Sequence, residues 1–194
     1  VIFFSALTIL AQNVSISSDW NQWHGPNRDG VISESSGWPE GWPPKELWRM
    51  NVGFGVSSPI IVKDRVYVMG WKDNNDYVYC LDADGKDGKP NILWTKSYPC
   101  PAYLRKGAGV NGGYYKGVLA TPVMDVNTGF LYTLSCDGDL CCWKAYNKKD
   151  PGKLKWKINL FSDYSMTVAE EGDYGFLPSP LLYGDWLIVA VGHN

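Results

Sequence analysis

ATPVMDVNTGFLYTLSCDGDLCCWKAYN, residues 120–147, decides the fold. A small residue and Pro122 open a short strand, PVMDV. The polar turn Asn127-Thr128-Gly129 leads to a second strand, FLYTLS. Asp137-Gly138 within CDGD is a tight hairpin signal, and DLCCWKA follows as a third strand. LKWKI then reads as a fourth, ending at Trp156. Proline stands only at the entrance of the first strand, where its missing N–H does least harm to a ladder.

The same grammar recurs on both sides. SSPIIVKDRVYVMGWKDNNDYVYCLDADG starts at Ser57 and is followed by ILWTK with Trp94. PSPLLYGDWLIVAVGHN starts at Pro178. The anchoring prolines are Pro59, Pro122 and Pro180, so the periods are 63 and 58 residues. Repeated four-stranded antiparallel units are the signature of a β-propeller. The excess over about 45 residues per blade falls in Lys96–Leu119 and Ile158–Leu177, which read as rim loops between blades. KELWRMNVG around Trp48 reads as one more fourth strand, able to complete the last blade of a closed ring. The expectation is an all-β propeller of which residues 12–194 hold that strand, two whole blades and half of a third, with further blades beyond Asn194.

Ten tryptophans, twelve tyrosines and 21 glycines fit short strands with large packing side chains. No stretch keeps a 3.6-residue apolar period, so almost no helix is expected. A net charge of −2 with pI near 5.7 leaves no electrostatic footprint for nucleic acid. Residues 1–11 open with VIFFSALTIL, the length of a signal-peptide core and too short for a bilayer span. A buried N-terminal strand is the competing assignment. Export to the periplasm, cell surface or medium is expected, with no membrane span in the mature chain.

The unit SSPIIVKDRVYVMG…YVYCLDA…GK…LW resembles the repeat of the pyrroloquinoline-quinone (PQQ)-like β-propeller family. GKLKW, Gly152–Trp156, matches that family's Gly-Lys-x-x-Trp turn, whose tryptophan docks between neighbouring blades. In the first unit, Gly88-Lys89 carries two extra residues before Trp94. The leader DWNQWHGPNRDG, Asp19–Gly30, is similar to the opening of secreted bacterial members, with His24 in place of an arginine. The resemblance implies a quinoprotein alcohol dehydrogenase-like ring of roughly seven or eight blades. Some members are quinoprotein dehydrogenases of alcohols or sugars, with PQQ and calcium on the ring axis. Others, such as the lipoprotein scaffold of outer-membrane protein assembly, bind no quinone. The fold alone does not choose between them.

Quinoprotein methanol dehydrogenases of that superfamily carry a disulfide between adjacent cysteines, which draws attention to Cys141–Cys142. Disulfides usually want Cα atoms about 4.4–6.8 Å apart, whereas neighbours across a trans peptide stand about 3.8 Å apart. Successive strand side chains also point to opposite faces. Cys142 aligns with Cys80, and Cys141 with Tyr79, so both read as sheet core. Cys100 reads as a loop residue and Cys136 as the end of a second strand. The five cysteines are expected reduced, with a bridge from Cys100 to a further blade as the alternative.

DADGKDG, Asp82–Gly88, places Lys86 and Leu93 where a calcium loop needs oxygen ligands, so it reads as a turn. His24 and His193, the two histidines, have no positioned partner for general-base work. The best binding candidates lie in the loop YPCPAYLRKGAGVNGGYYKG: Tyr103, Arg105, Lys106, Tyr114 and Tyr115. That mix of aromatic and basic groups suits a protein or carbohydrate ligand. The expected function is a non-catalytic binding or scaffold module. The alternative is a PQQ-dependent dehydrogenase of alcohols or sugars that uses PQQ and calcium.

Overall fold

The computed structural model describes residues 19–32, 45–101, 117–146, 149–164 and 178–190. Their architecture is antiparallel sheet. β1 (Ile60–Val62), β2 (Arg65–Lys72), β3 (Asn75–Asp82) and β4 (Ile92–Pro99) form one four-stranded meander. β5 (Val123–Asp125), β6 (Phe130–Leu134), β7 (Asp139–Lys144) and β8 (Lys153–Asn159) form a second. β9 (Leu181–Tyr183) and β10 (Trp186–Ile188) pair as a third sheet. The four residues of α1 (Leu160–Asp163) follow β8, capped by the Asn159 side chain, which accepts from the Phe161 and Ser162 N–H groups. No helix among the described residues is long and apolar enough to cross a membrane.

Turn chemistry sets the meander. Asp73 and Asn74 both have positive φ, as a two-residue hairpin between β2 and β3 requires. Gly138, at φ 82°, closes the turn between β6 and β7 by donating to the Ser135 carbonyl at 3.1 Å. Both meanders shift register at the same place. Cys80 faces Trp94 and Leu81 faces Ile92, while Cys142 faces Trp156 and Trp143 faces Leu154. One residue, Leu93 or Lys155, is left unpaired each time. The repeat is therefore structural down to its bulge.

The two meanders stack face to face. Ile60, Tyr67, Met69, Val78 and Trp94 of the first share one core with Met124, Leu131, Cys141 and Trp143 of the second. The opposite face of the second meander packs Leu134, Leu140 and Trp156 against Leu187 and Val189. A sheet covered on both sides loses the usual alternation, and β7 is buried along Asp139–Trp143 without a break. Stacked four-stranded antiparallel sheets with almost no helix are consistent with propeller blades.

Tryptophan docking joins the units. The Trp94 indole donates to the Ala145 carbonyl at 3.2 Å, and that of Trp48 donates to the Ala83 carbonyl at 2.9 Å. Ala83 and Ala145 are equivalent, each just after a third strand. A Cβ on Gly85 would come 2.5 Å from Trp48 Cδ1, and one on Gly152 would come 2.8 Å from Trp94 Cδ2. The glycine equivalent to Gly152 is thus Gly85, not Gly88 as the sequence alignment has it. Lys86–Lys89 forms a small inserted hairpin instead.

Residues 45–53 pair with no strand among the described residues, and the Trp48 indole docks on the β3–β4 turn. One other expectation is corrected. The fourth strands run past their tryptophans, to Pro99 and Asn159. Lys96–Pro99 alternates exposed and buried residues, with Tyr98 buried opposite Asp76, so pairing continues where the sequence reads as loop.

The residue before each anchoring proline carries a hydroxyl, and the structure supplies the reason. The Ser58 N–H donates to Thr121 Oγ1 at 3.1 Å, and the Thr121 N–H donates to Ser179 Oγ at 2.9 Å. Each first strand thereby holds the next through one side chain. Thr121→Val removes the acceptor and leaves the Ser58 N–H unpaired beside a buried methyl. A loss of about 1–2 kcal/mol is expected, with Thr121→Ser close to wild type in a urea titration.

Candidate functional site

The leader Asp19–Ile32 walls a cavity against the strand entrances. It crosses three successive first strands at one equivalent position, two residues after each proline. Ile61 donates its N–H to the Trp20 carbonyl at 2.9 Å. Met124 donates to the Asn21 carbonyl at 2.9 Å, while Asn21 Nδ2 donates back to the Met124 carbonyl at 2.9 Å. Arg28 Nη2 donates to the Leu182 carbonyl. The leader thus covers the free edges of β1, β5 and β9, where unpaired backbone groups would otherwise stand open.

The path is held by local turns. His24, Gly25, Arg28 and Gly30 have positive φ. Gly25 is required, since a Cβ there would stand 2.7 Å from the Trp20 ring. Gln22 is buried, donating to the Pro26 carbonyl at 3.1 Å and accepting from Arg28 Nε at 3.3 Å. That brace fixes the guanidinium over the entrance of the third sheet.

Between leader and strand entrances lies a cavity of about 520 Å³, lined by Trp23, His24 and Arg28 on one side and Thr121, Ser179 and Leu181 on the other. Trp23 is 49% exposed, and its ring lies against the His24 imidazole with centroids 4.6 Å apart. An aromatic face, a guanidinium and a hydroxyl thus line one cavity. The motif Asp19–Gly30 marks a leader in the sequence, but the cavity it builds is visible only in the fold. The signal available was the density of Trp, His, Arg and Gln within Asp19–Gly30.

A second polar cluster is enclosed between the first two meanders. Asp76 is 0% exposed, and neither carboxylate oxygen has a hydrogen-bond partner. Burial pushes its pKa up to about 7; the adjacent Cys100 thiol offsets part of this, and the Asp137 and Asp139 carboxylates add to it. Cys100 and Cys136 stand beside it, their sulfurs 3.7 Å apart. Lys157 and Asn159 neutralise and hold Asp139, at 3.1 and 2.9 Å.

Cys141 packs into the core between the meanders, while Cys142 lies in register with Tyr132 and Trp156, whose rings pair at 5.9 Å. The adjacent thiols are free, as are the other three. Asp82–Gly88 is a turn in which Asp82 accepts from the Asp84 N–H at 3.1 Å. Among the described residues no group of three His, Cys, Asp or Glu could hold a metal ion such as calcium. Tyr103, Arg105, Lys106, Tyr114 and Tyr115 lie outside the described residues, as do His193 and the segment 1–11.

No family model and no curated protein matches the chain. Among solved structures, a europium-containing methanol dehydrogenase is similar to it at 20% identity and a TM-score of 0.45, over 70% of this chain and 20% of that one. The chain spans about one fifth of that protein's length. A likeness of this size carries no argument about ring closure, cofactor or reaction.

Proposed function

We propose that the chain is a segment of an exported PQQ-like β-propeller repeat protein that acts as a non-catalytic binding module. One observation carries this reading: the leader spans three first strands and leaves Trp23 half-exposed above a cavity of about 520 Å³ with His24 and Arg28 at its edge. An oligosaccharide is the ligand class this lining fits best. The indole face suits the apolar face of a sugar ring, and Arg28 and Ser179 offer polar edges for its hydroxyls. A ring with further blades would set this cavity at one mouth of the central channel, and the loop with Tyr103, Arg105, Lys106, Tyr114 and Tyr115 would extend the rim.

The full chain would be titrated calorimetrically with panels of neutral and acidic oligosaccharides and of short peptides. Oligosaccharide binding that weakens about tenfold or more in Trp23→Ala supports the reading. Binding of peptides alone replaces the sugar with a protein ligand. Dye reduction with alcohols or sugars that requires added PQQ and calcium would establish the dehydrogenase instead.

A further inference from the structure

We propose that Cys100 and Cys136 form a disulfide that staples the first meander to the second. The two sulfurs are already 3.7 Å apart across 36 residues of sequence. A bond requires them to close to about 2.05 Å, a shift of less than 2 Å from the observed 3.7 Å. The backbone at Cys100 is fixed on both sides. Its N–H donates to the Asn74 carbonyl at 2.8 Å, and its carbonyl accepts from the Trp71 indole at 2.8 Å. Cys136 stands at the head of the Ser135–Asp139 turn, which is closed by the Ser135 N–H on the Asp139 carbonyl at 3.0 Å. Trp71 packs over both sulfurs. The competing thiols are placed elsewhere: Cys80 and Cys141 lie within the core shared by the two meanders. Cys142 lies against Tyr132 in the second meander.

The chemistry balances with a small-molecule disulfide such as glutathione disulfide as oxidant. One thiol of the pair, as thiolate, attacks the oxidant, forming a mixed disulfide and releasing one small thiol. The second then attacks the protein sulfur of that mixed disulfide and releases the other. Two protein S–H bonds are lost, one S–S bond forms, and the oxidant carries away both electrons and both protons as two thiols. In the folded chain the Cys136 thiol, burial and Asp76 all hold the Cys100 thiol protonated, well above its ordinary pKa. Exchange is therefore slow once the blades have closed and fast while they are still open. Pairing is a property of these two side chains; its persistence in the cell rests on the proposed export, since reducing compartments keep thiols free.

The test uses the full chain, refolded with a mixture of reduced and oxidised glutathione, alkylated, and mapped without reduction. Cleavage with trypsin and before Asp137 separates Cys136 from Cys141 and Cys142. The expected product is a peptide linked through Cys100 and Cys136, with Cys80, Cys141 and Cys142 alkylated. Reduction should lower the melting temperature of the oxidised chain by about 10 °C, and should shift neither Cys100→Ala nor Cys136→Ala. Alkylation of both cysteines after oxidation, a bridge from Cys100 to another cysteine, or labelling blocked only until EDTA is added would overturn the proposal. These outcomes are read on purified protein and do not depend on export, which cell fractionation tests separately.

Discussion

Trp94→Ala is expected to destabilise the chain by about 3–5 kcal/mol, read as a lower urea midpoint. The indole is buried in the core between the meanders and stands 6.0 Å from the Tyr67 ring. Its N–H reaches the Ala145 carbonyl in the neighbouring sheet. Truncation removes a large apolar body and leaves a carbonyl without its donor, two separate costs. Gly152→Ala attacks the same joint from the other side: the position has φ 72°, and an added Cβ meets the Trp94 ring at 2.8 Å. It should therefore also destabilise, by about 1–3 kcal/mol. Trp23→Ala is the control, since that ring is half-exposed and joins no two sheets; its cost should stay below about 1 kcal/mol. A loss below about 1 kcal/mol for Trp94→Ala would show that tryptophan docking does not hold the blades together.

Asp76→Asn should make the protein more stable at alkaline pH and flatten its stability between pH 4 and 8. The folded carboxyl titrates near pH 7, above the ordinary value of 3.8, because burial outweighs the adjacent Cys100 thiol and Asp137 and Asp139 face it. A raised folded pKa means that the native state binds the proton more tightly than the unfolded chain does. Stability is therefore highest below about pH 4 for this group and falls as pH rises to about 7. The rise from 3.8 to about 7 corresponds to at most about 4 kcal/mol. The variant carries no charge at any pH, so at pH 8 it should gain about 2–4 kcal/mol over wild type and at pH 4 almost nothing. Melting curves across that range decide it. A wild-type chain that grows more stable from pH 5 to 8, with no gain in Asp76→Asn, would mean that the carboxylate is satisfied in solution.

The placement of Asp76 is encoded in no local run of sequence. In Asp73-Asn74-Asn75-Asp76 it stands among turn formers, and nothing local distinguishes a turn residue from one sealed between two sheets. β3 starts at Asn75, and cross-strand pairing with Trp71 and Tyr98 carries Asp76 inward. The fourth strands were shortened for a related reason: Thr95-Lys96-Ser97 looks like loop composition, but partner strands of eight residues extend the ladder across it.

Strand order, hairpin positions and the burial of Cys141 were legible in the residues. Period-two alternation, paired turn formers and a repeated proline act over neighbours in the chain. The leader cavity, the hydroxyl relay through Ser58, Thr121 and Ser179, the enclosed Asp76 and the Cys100–Cys136 contact arise from stacking one sheet on the next. They join groups 24 to 154 residues apart in the chain. Such meetings depend on the distance and rotation between whole sheets, which are set by the packed core and written in no short run of sequence.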